Sequence, residues 1–312
     1  MNVRTIFMGT PQFAATVLES LLRSQCQVLA VYTQPDRPAG RGHGVSSSPV
    51  KRLALERGIP VVQPQSLKSS EAVEELARFG PDLIIVAASA FILPAGVLGL
   101  PGYGCLNIHP SLLPRHRGAA PIASAILCGD DTTGVTVMQM DSGMDTGLIV
   151  AQETVTVSPD DSTGSLSSRL AEVGAGLILK TLPEWLAGRL KPREQDESQA
   201  TYSSVITAAD AEMNWQLPAL DLWRMVRAYN PWPGSHSRWG TRRLKVHEAV
   251  HLDCAATGRT GEVIALAEPP GVGVITGCGV LGLRQVQLEG KQRMSAGEFV
   301  LGRKDFIGSV LG

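Results

Sequence analysis

The first 33 residues limit the choice of folds more than any other part of the chain. Val3 to Met8 form an apolar run of strand length, and Gly9 follows as a turn residue. Thr10 and Pro11 are typical of a helix start. The apolar residues after them keep helical spacing: Phe13, Val17, Leu18, Leu21 and Leu22. Since Val28 to Thr33 has the pattern of a second strand, the order strand, helix, strand predicts a doubly wound α/β fold.

Later segments extend this prediction. Leu83 to Ala87 indicates a buried parallel strand, and helical spacing over Ser165 to Leu190 indicates a long closing helix. The polar stretch after that helix has no periodicity, and 312 residues favour about two domains. We therefore predict a Rossmann-like catalytic domain over 1–189, a linker over 190–205 and a smaller C-terminal domain over 206–312. The crevice should lie at the carboxyl ends of the strands, and the absence of GxGxxG argues against a dinucleotide site.

Composition excludes several functional classes. Hydrophobic residues make up 44% and charged residues 18%, which is ordinary for a globular protein. A net charge of -1 gives no general attraction to nucleic acid, so any RNA contact must come from a local basic patch. The 5 cysteines are scattered without a CxxC pair, which favours a reducing cytoplasm over disulfides or zinc. We expect a cytoplasmic protein with no metal and no membrane partner.

Asn107, His109 and Asp145 are the candidate catalytic residues. Asn107 and His109 are two apart, so on a strand their side chains point to one face. An amide can stabilise an oxyanion, an imidazole can carry a proton, and a carboxylate can orient the imidazole. These three groups together suit acyl transfer in which no enzyme side chain acts as the nucleophile. The alternative is a turn with a surface histidine, in which Asp145 closes its own turn, and the spacing alone does not exclude it.

The stretch from Asn107 to Gly118, NIHPSLLPRHRG, together with DSGMDTG at 141–147, resembles the signature of formyltransferases that use 10-formyltetrahydrofolate. The resemblance implies that Asn107 and protonated His109 stabilise the oxyanion while Asp145 holds His109. It also implies folate binding by the loop of Ser111, Leu112, Leu113 and Pro114. No metal is implied.

Two other segments have alternative interpretations. Phe91, Ile92 and Leu93 follow the predicted strand at Leu83 and can form either an apolar folate wall or simple core. Arg115 and Arg117 can anchor their loop, the folate tail or an RNA phosphate.

A basic, Gly- and Pro-rich segment spans residues 33–51 and contains Arg37, Arg41 and Lys51. Its composition suits either a phosphate-rich partner or a plain solvated loop. By resemblance it is the insertion that enters the tRNA acceptor arm, with Arg41 as its key residue. MGTPQF at 8–13 also resembles the family branch whose acceptor is methionyl-tRNA.

The C-terminal residues read as short strands between Gly and Pro turns, as in a small β-barrel. The resemblance implies an OB-like tRNA-binding domain. Arg242 and Arg243 are candidate RNA contacts, although a charge cluster can also be a solvated face.

The expected reaction is transfer of the formyl group to the α-amino group of methionyl-initiator tRNA, giving formylmethionyl-tRNA for translation initiation. The expected protein is a monomer. A small ribonucleotide or sugar-nucleotide amine as acceptor, and an RNA-binding module with a degenerate site, are the alternatives.

Overall fold

The structure is a computed structural model that describes residues 3–39, 44–254 and 256–312, with the main chain alone at 37–39 and 44–46. In chain order its first elements are β1 (Val3–Gly9), α1 (Gln12–Leu21), β2 (Cys26–Tyr32), β3 (Arg37–Ala39), β4 (Gly44–Ser46), α2 (Pro49–Glu56), β5 (Val61–Val62), α3 (Ser70–Arg78), β6 (Leu83–Ala87), α4 (Ala95–Leu98), β7 (Cys105–His109), β8 (Arg117–Gly118), α5 (Pro121–Cys128), β9 (Thr132–Gln139) and β10 (Leu148–Thr156). The remaining elements are α6 (Thr163–Leu186), β11 (Tyr202–Ser203), α7 (Ala219–Ala228), β12 (His236–Trp239), β13 (Arg242–Leu252), β14 (Val263–Ala265), β15 (Val272–Ile275), β16 (Val280–Leu288), β17 (Met294–Ser295) and α8 (Ala296–Leu301).

The chain divides into two compact units. Unit 1 comprises residues 1–121, 132–156 and 167–203, and unit 2 comprises residues 122–131, 157–166 and 204–312. Residues 190–203 of the predicted linker lie in unit 1. The domain boundaries at 189 and 206 stay a prediction.

A seven-stranded sheet forms the centre of unit 1, in the order β10-β9-β7-β6-β1-β2-β5. The pairs of β1 with β2 and β6, of β2 with β5 and of β6 with β7 are parallel, whereas β9 is antiparallel to β7. The chain extends to one side of β1 with β2 and to the other with β6, so the strand order reverses between β1 and β6. This confirms the doubly wound α/β prediction, and such a reversal leaves a crevice at the carboxyl ends of the strands.

Two predictions in unit 1 need correction. The segment 33–51 was expected as a loop, but β3 and β4 pair antiparallel within it, with Arg37 opposite Ser46. Its Gly and Pro content hid this pairing, which depends on a partner strand. The long helix ends at Leu186 rather than Leu190, because Gly188 adopts φ +67° and its N–H closes back on Trp185. Among the described residues, no helix is both long and apolar enough to cross a bilayer.

Unit 2 is rich in β-structure, which confirms the fold class predicted for the C-terminal part. Its antiparallel sheet has the order β12-β13-β16-β15-β14, with β17 paired to β16. The short helix α8 was not predicted. It begins with a capping box, in which the side chain of each of Ser295 and Glu298 accepts a hydrogen bond from the main-chain amide of the other. The Ser-x-x-Glu pattern was therefore the signal in the sequence for this helix start.

Gly134 of β9 offers a test of how closely the strands approach beside the sheet edge. A Cβ at Gly134 would lie 2.2 Å from the carbonyl oxygen of Glu153 on β10 and 2.6 Å from Leu112. Because the first of these contacts is with main chain, we expect Gly134→Ala to lower the free energy of unfolding by about 1–3 kcal/mol in urea denaturation.

Gly176 in α6 is the matched control, since a Cβ there meets no atom within 4 Å. Gly176→Ala should raise the free energy of unfolding by about 0.4–1 kcal/mol, because alanine lowers the conformational entropy of the unfolded chain and has a higher helix propensity than glycine. A Gly134→Ala protein as stable as wild type would contradict the close approach.

Candidate active site

A cavity of about 650 Å³ lies in unit 1 at the carboxyl ends of β1, β6 and β7. Its lining includes Pro11 after β1, Ala88 after β6, Asn107 and His109 on β7, and Asp145 beyond β9. The cavity therefore occupies the crevice that a doubly wound sheet provides, and it falls within the usual size range of small-molecule sites.

Asn107 and His109 lie on the same side of β7, as their spacing predicts. Both are buried, with 9% and 4% of their surface exposed, and both line the cavity. The alternative of a surface histidine in a turn is therefore wrong. Ile108 between them packs toward α6, where a Cβ added to Gly174 would come within 2.9 Å of it.

Asp145 reaches this pair from the loop that follows β9. Its carboxylate accepts a hydrogen bond from the Gly118 amide at 2.8 Å, and the Asn107 amide lies 3.4 Å away. Its Oδ2 atom lies 3.6 Å from Nδ1 of His109. The turn itself is closed by Asp141, which accepts from the Gly143 amide and the Thr146 hydroxyl. Asp145 is thus directed at His109 and does not close its own turn.

The surroundings of His109 define which nitrogen can take a proton. Its Nε2 lies 3.0 Å from the carbonyl oxygen of His116. Since a carbonyl only accepts, Nε2 carries the hydrogen, and Nδ1 is left facing Asp145. Burial lowers the pKa of His109 below 6.5, and the Asp145 carboxylate offsets part of that shift. The neutral imidazole therefore prevails near neutral pH, with Asp145 placed to stabilise a proton arriving at Nδ1.

Hydrogen bonds hold the predicted folate-binding loop, and Ser111 and Leu113 within it are buried. Ser111 donates to the Arg115 carbonyl at 2.6 Å, and the Leu113 amide donates to Thr136 at 3.1 Å. Gln152 donates to the Leu113 carbonyl at 2.9 Å. Leu112 packs over Gly134, and Pro114 is half-buried. Unlike Pro110, none of Ser111, Leu112, Leu113 or Pro114 is part of the described cavity wall. Their role in folate binding stays a prediction.

The apolar residues after β6 fit both interpretations of the sequence. Phe91 and Leu93 are buried members of the core beneath the cavity, whereas Ile92 is 70% exposed. All three line the cavity. They can form an apolar wall that the core supports from behind.

The predicted tRNA contacts belong to both units of the chain. Arg37 lies in β3, and Arg41 lies outside the described residues. Lys51 on α2 forms an ion pair with Asp36 and donates to Gln63 at 2.8 Å. In unit 2, Arg242 donates to the Glu289 carbonyl at 2.7 Å, while the Arg243 side chain is exposed. Their binding roles stay predictions.

Two polar residues near Asp145 carry contacts that the sequence did not specify. Arg117 is fully buried and pairs with Glu197 and Gln195, so of its three possible roles the structure supports anchoring. Gln195 also donates to the carbonyl of Asp145 at 2.7 Å. Sequence reasoning missed Gln195 because its polar, aperiodic surroundings are typical of a linker.

Within the described ranges, no three His, Cys, Asp or Glu side chains are arranged to hold a metal ion.

Comparison with known families agrees with this geometry. Residues 1–182 match the formyl transferase family model, and residues 205–304 match the model of the formyl transferase C-terminal domain. The chain therefore belongs to the formyl transferase family, which confirms the resemblance seen in the motif. Within that family it is 45% identical over 305 residues to methionyl-tRNA formyltransferase of Marinobacter nauticus, covering 98% of both chains. It is 46% identical over 298 residues to the enzyme of the same name from Methylococcus capsulatus, covering 96% of both.

Solved structures share the fold at lower identity. The N-formyltransferase from Helicobacter canadensis, in complex with folinic acid and dTDP-3-aminofucose, aligns with a TM-score of 0.63 at 16% identity, covering 90% of this chain and 99% of that one. HypX from Aquifex aeolicus in complex with tetrahydrofolic acid aligns with a TM-score of 0.62 at 19% identity over 96% of this chain. The chain spans about half of HypX, namely 47%.

The lowered pKa of His109 makes stability depend on pH. The unfolded chain binds a proton at His109 near pH 6.5, whereas the folded chain does so only at lower pH. The contribution to the free energy of unfolding is therefore complete above 6.5 and is lost as the pH falls, by at most about 1.4 kcal/mol per unit. Urea denaturation between about pH 8 and about pH 5 should show a flatter dependence in His109→Asn than in wild type. Equal slopes would contradict a neutral, buried His109.

Proposed function

We propose that this protein transfers the formyl group of 10-formyltetrahydrofolate to the α-amino group of methionyl-initiator tRNA, giving formylmethionyl-tRNA for translation initiation. The observation that carries the proposal is the convergence of Asn107, His109 and Asp145 on one cavity wall in a chain of the formyl transferase family. The relatives that it matches over nearly full length act, by their names, on methionyl-tRNA.

The cavity fits the donor in size and polarity. A bound 10-formyltetrahydrofolate supplies an activated formyl carbon on a nitrogen leaving group. Phe91, Ile92 and Leu93 offer an apolar wall for a flat heteroaromatic ring, while Asn107 and His109 add polar groups to the lining. This division into an apolar wall and a few polar groups is usual for small-molecule sites.

Asn107 is placed to stabilise charge on the formyl oxygen. Its amide lies 3.4 Å from Asp145, which is long for a hydrogen bond, so it can be redirected toward a developing oxyanion. Once His109 has taken the proton of the acceptor amine, its positive charge adds to this stabilisation. A donor fixed beside the reaction centre lowers the barrier because it needs little reorganisation.

His109 and Asp145 are placed to move the proton. As the acceptor amine bonds to the formyl carbon, it must lose a proton, and Nδ1 of His109 is the nitrogen available to take it. Asp145 at 3.6 Å stabilises the resulting imidazolium, directly or through one water. The bond between the formyl carbon and the folate nitrogen then breaks, and that nitrogen takes the proton from His109, so atoms and charge balance.

The acceptor is proposed from the relatives and from the second family match. Residues 205–304 match a formyl transferase C-terminal domain, and the β-rich unit 2 carries the exposed Arg243. We also propose Arg37, Arg41, Lys51 and Arg242 as tRNA contacts, residues 111–114 as part of the folate site, domain boundaries at 189 and 206, and a cytoplasmic monomer without a membrane partner.

Formyl transfer to three acceptors tests the reaction and the site together. We expect wild type to formylate methionyl-initiator tRNA and neither uncharged tRNA nor a sugar-nucleotide amine. Asp145→Ala should lower kcat by about 10²- to 10⁴-fold, because the proton carried by His109 loses its counter-charge. The exposed Asp305 provides a control, and Asp305→Ala should keep wild-type turnover. Turnover on the sugar-nucleotide amine alone would retain the chemistry and contradict the acceptor.

Arg41→Ala tests the proposed role of the basic segment. If Arg41 contacts an RNA phosphate, kcat/KM for methionyl-tRNA should fall about 10- to 100-fold in Arg41→Ala. The slope of log kcat/KM against log salt concentration should become less steep by about one unit. Donor affinity should stay within about two-fold of wild type. Arg23, which is exposed and paired with Glu19, gives a control of equal charge. Parallel losses for donor and tRNA would refute the assignment.

A further inference from the structure

The end of unit 1 lies against the loop that carries Asp145. Arg193 and Ile149 exchange main-chain hydrogen bonds of 2.8 and 2.9 Å just beyond that loop. Further along, β11 pairs with β8, so Tyr202 lies opposite Arg117 and Ser203 opposite Gly118. The segment 193–203 is therefore fixed at both ends beside the candidate catalytic residues.

Gln195 connects this segment to the backbone of Asp145. Its Nε2 donates to the carbonyls of Asp145 and Gly147, each at 2.7 Å. The first of these carbonyls belongs to a residue with an unusual backbone, because Asp145 has φ +54°. Aspartate tolerates this left-handed conformation better than most residues other than glycine, but its backbone is still more stable when its surroundings hold it there. The two bonds from Gln195 provide such support.

Arg117 fixes the other end of the Gln195 amide. Its Nε and Nη2 atoms donate to Oε1 of Gln195 at 3.0 and 2.8 Å, and Glu197 accepts two further bonds at 3.0 and 2.6 Å. The guanidinium is fully buried, so it needs these acceptors to offset its desolvation. With Oε1 held by Arg117, Nε2 of Gln195 is directed toward the carbonyls of the Asp145 loop.

Gly118 holds the carboxylate of Asp145. Its amide donates to Oδ2 of Asp145 at 2.8 Å, and its φ is +103°. A Cβ at Gly118 would lie 2.5 Å from the Ser203 carbonyl, so the pairing of β8 with β11 requires glycine here. Two residues adjacent in sequence thus support Asp145. Arg117 supports its backbone through Gln195, and Gly118 holds its carboxylate directly.

We propose that Gln195 is a positioning residue for formyl transfer, holding the backbone of Asp145 so that its carboxylate faces His109. This role rests on the proposed function. Without the two bonds from Nε2, the 145–147 backbone relaxes toward ordinary angles, and the carboxylate moves from its position 3.6 Å from the imidazole. Small displacements of this kind can cost about 10²-fold in rate.

Two variants separate this role from general packing. Gln195→Met removes both functions of the amide, whereas Gln195→Glu keeps an acceptor for Arg117 and removes the donor. In both we expect kcat to fall about 10- to 100-fold, with KM for donor and acceptor within about three-fold of wild type. Gln199→Met is the control, because Gln199 is exposed and its amide donates to Asp196 within the same turn, away from Asp145. A loss confined to KM, or a kcat within about two-fold of wild type, would overturn the proposal.

A double-mutant cycle checks that Gln195 acts through Asp145. In single turnover with excess enzyme, adding Gln195→Met to Asp145→Ala should change the rate by less than about two-fold, because the carboxylate being positioned is already gone. Fully multiplied losses would overturn the proposal.

Hydrogen exchange gives a readout that does not depend on the reaction. Deuterium uptake at Gly118 and over residues 143–147 should rise about ten-fold or more in Gln195→Met and Gln195→Glu, and stay unchanged in Gln199→Met. Unchanged uptake in both Gln195 variants would overturn the positioning role. If wild type showed no formyl transfer, the proposed function would fail while this measurement still decided whether Gln195 holds the loop.

Discussion

The approach of the Asp145 carboxylate to the buried imidazole of His109 is the interaction on which the site depends. Burial favours the neutral imidazole, and the carboxylate at 3.6 Å opposes that preference. A histidine in this balance can accept a proton and release it again, as acyl transfer between two nitrogens requires. Burial alone would favour only the neutral imidazole, and the carboxylate alone would favour only the protonated one. The surrounding structure therefore has to hold two residues from different parts of the chain at a set distance.

The sheet supplies one side of that arrangement and the 193–203 segment supplies the other. β7 is central in the sheet, so Asn107 and His109 are carried by a strand bonded on both edges. Asp145 lies on a loop, which by itself would be the more variable partner. Arg117, Gly118 and Gln195 give that loop fixed hydrogen bonds, and the buried guanidinium makes their arrangement costly to disturb. Rigid support of a loop residue is what electrostatic preorganisation needs.

Much of the architecture could be predicted from local pattern. The apolar runs of β1, β2 and β6 and the helical spacing of α1 and α6 reflect burial on known faces, and this burial is visible in sequence. The pairing of β3 with β4 was missed because short strands depend on a partner rather than on their own composition. The helix α8 was missed despite its capping pattern, since six residues provide too little periodicity.

The sequence by itself determined the order of elements, the common face of Asn107 and His109, and membership in a formyl transferase family, because periodicity and a long motif are properties of neighbouring residues. Only the tertiary structure decided that Asp145 faces Nδ1 of His109, that Lys51 pairs with Asp36, and that Arg117 serves as an anchor. Gln195 looks like a linker residue in sequence and lies against Asp145 in space, fifty positions away. The physical reason is that hydrogen bonds and burial act over a few ångströms, and chain folding alone determines which distant residues come that close.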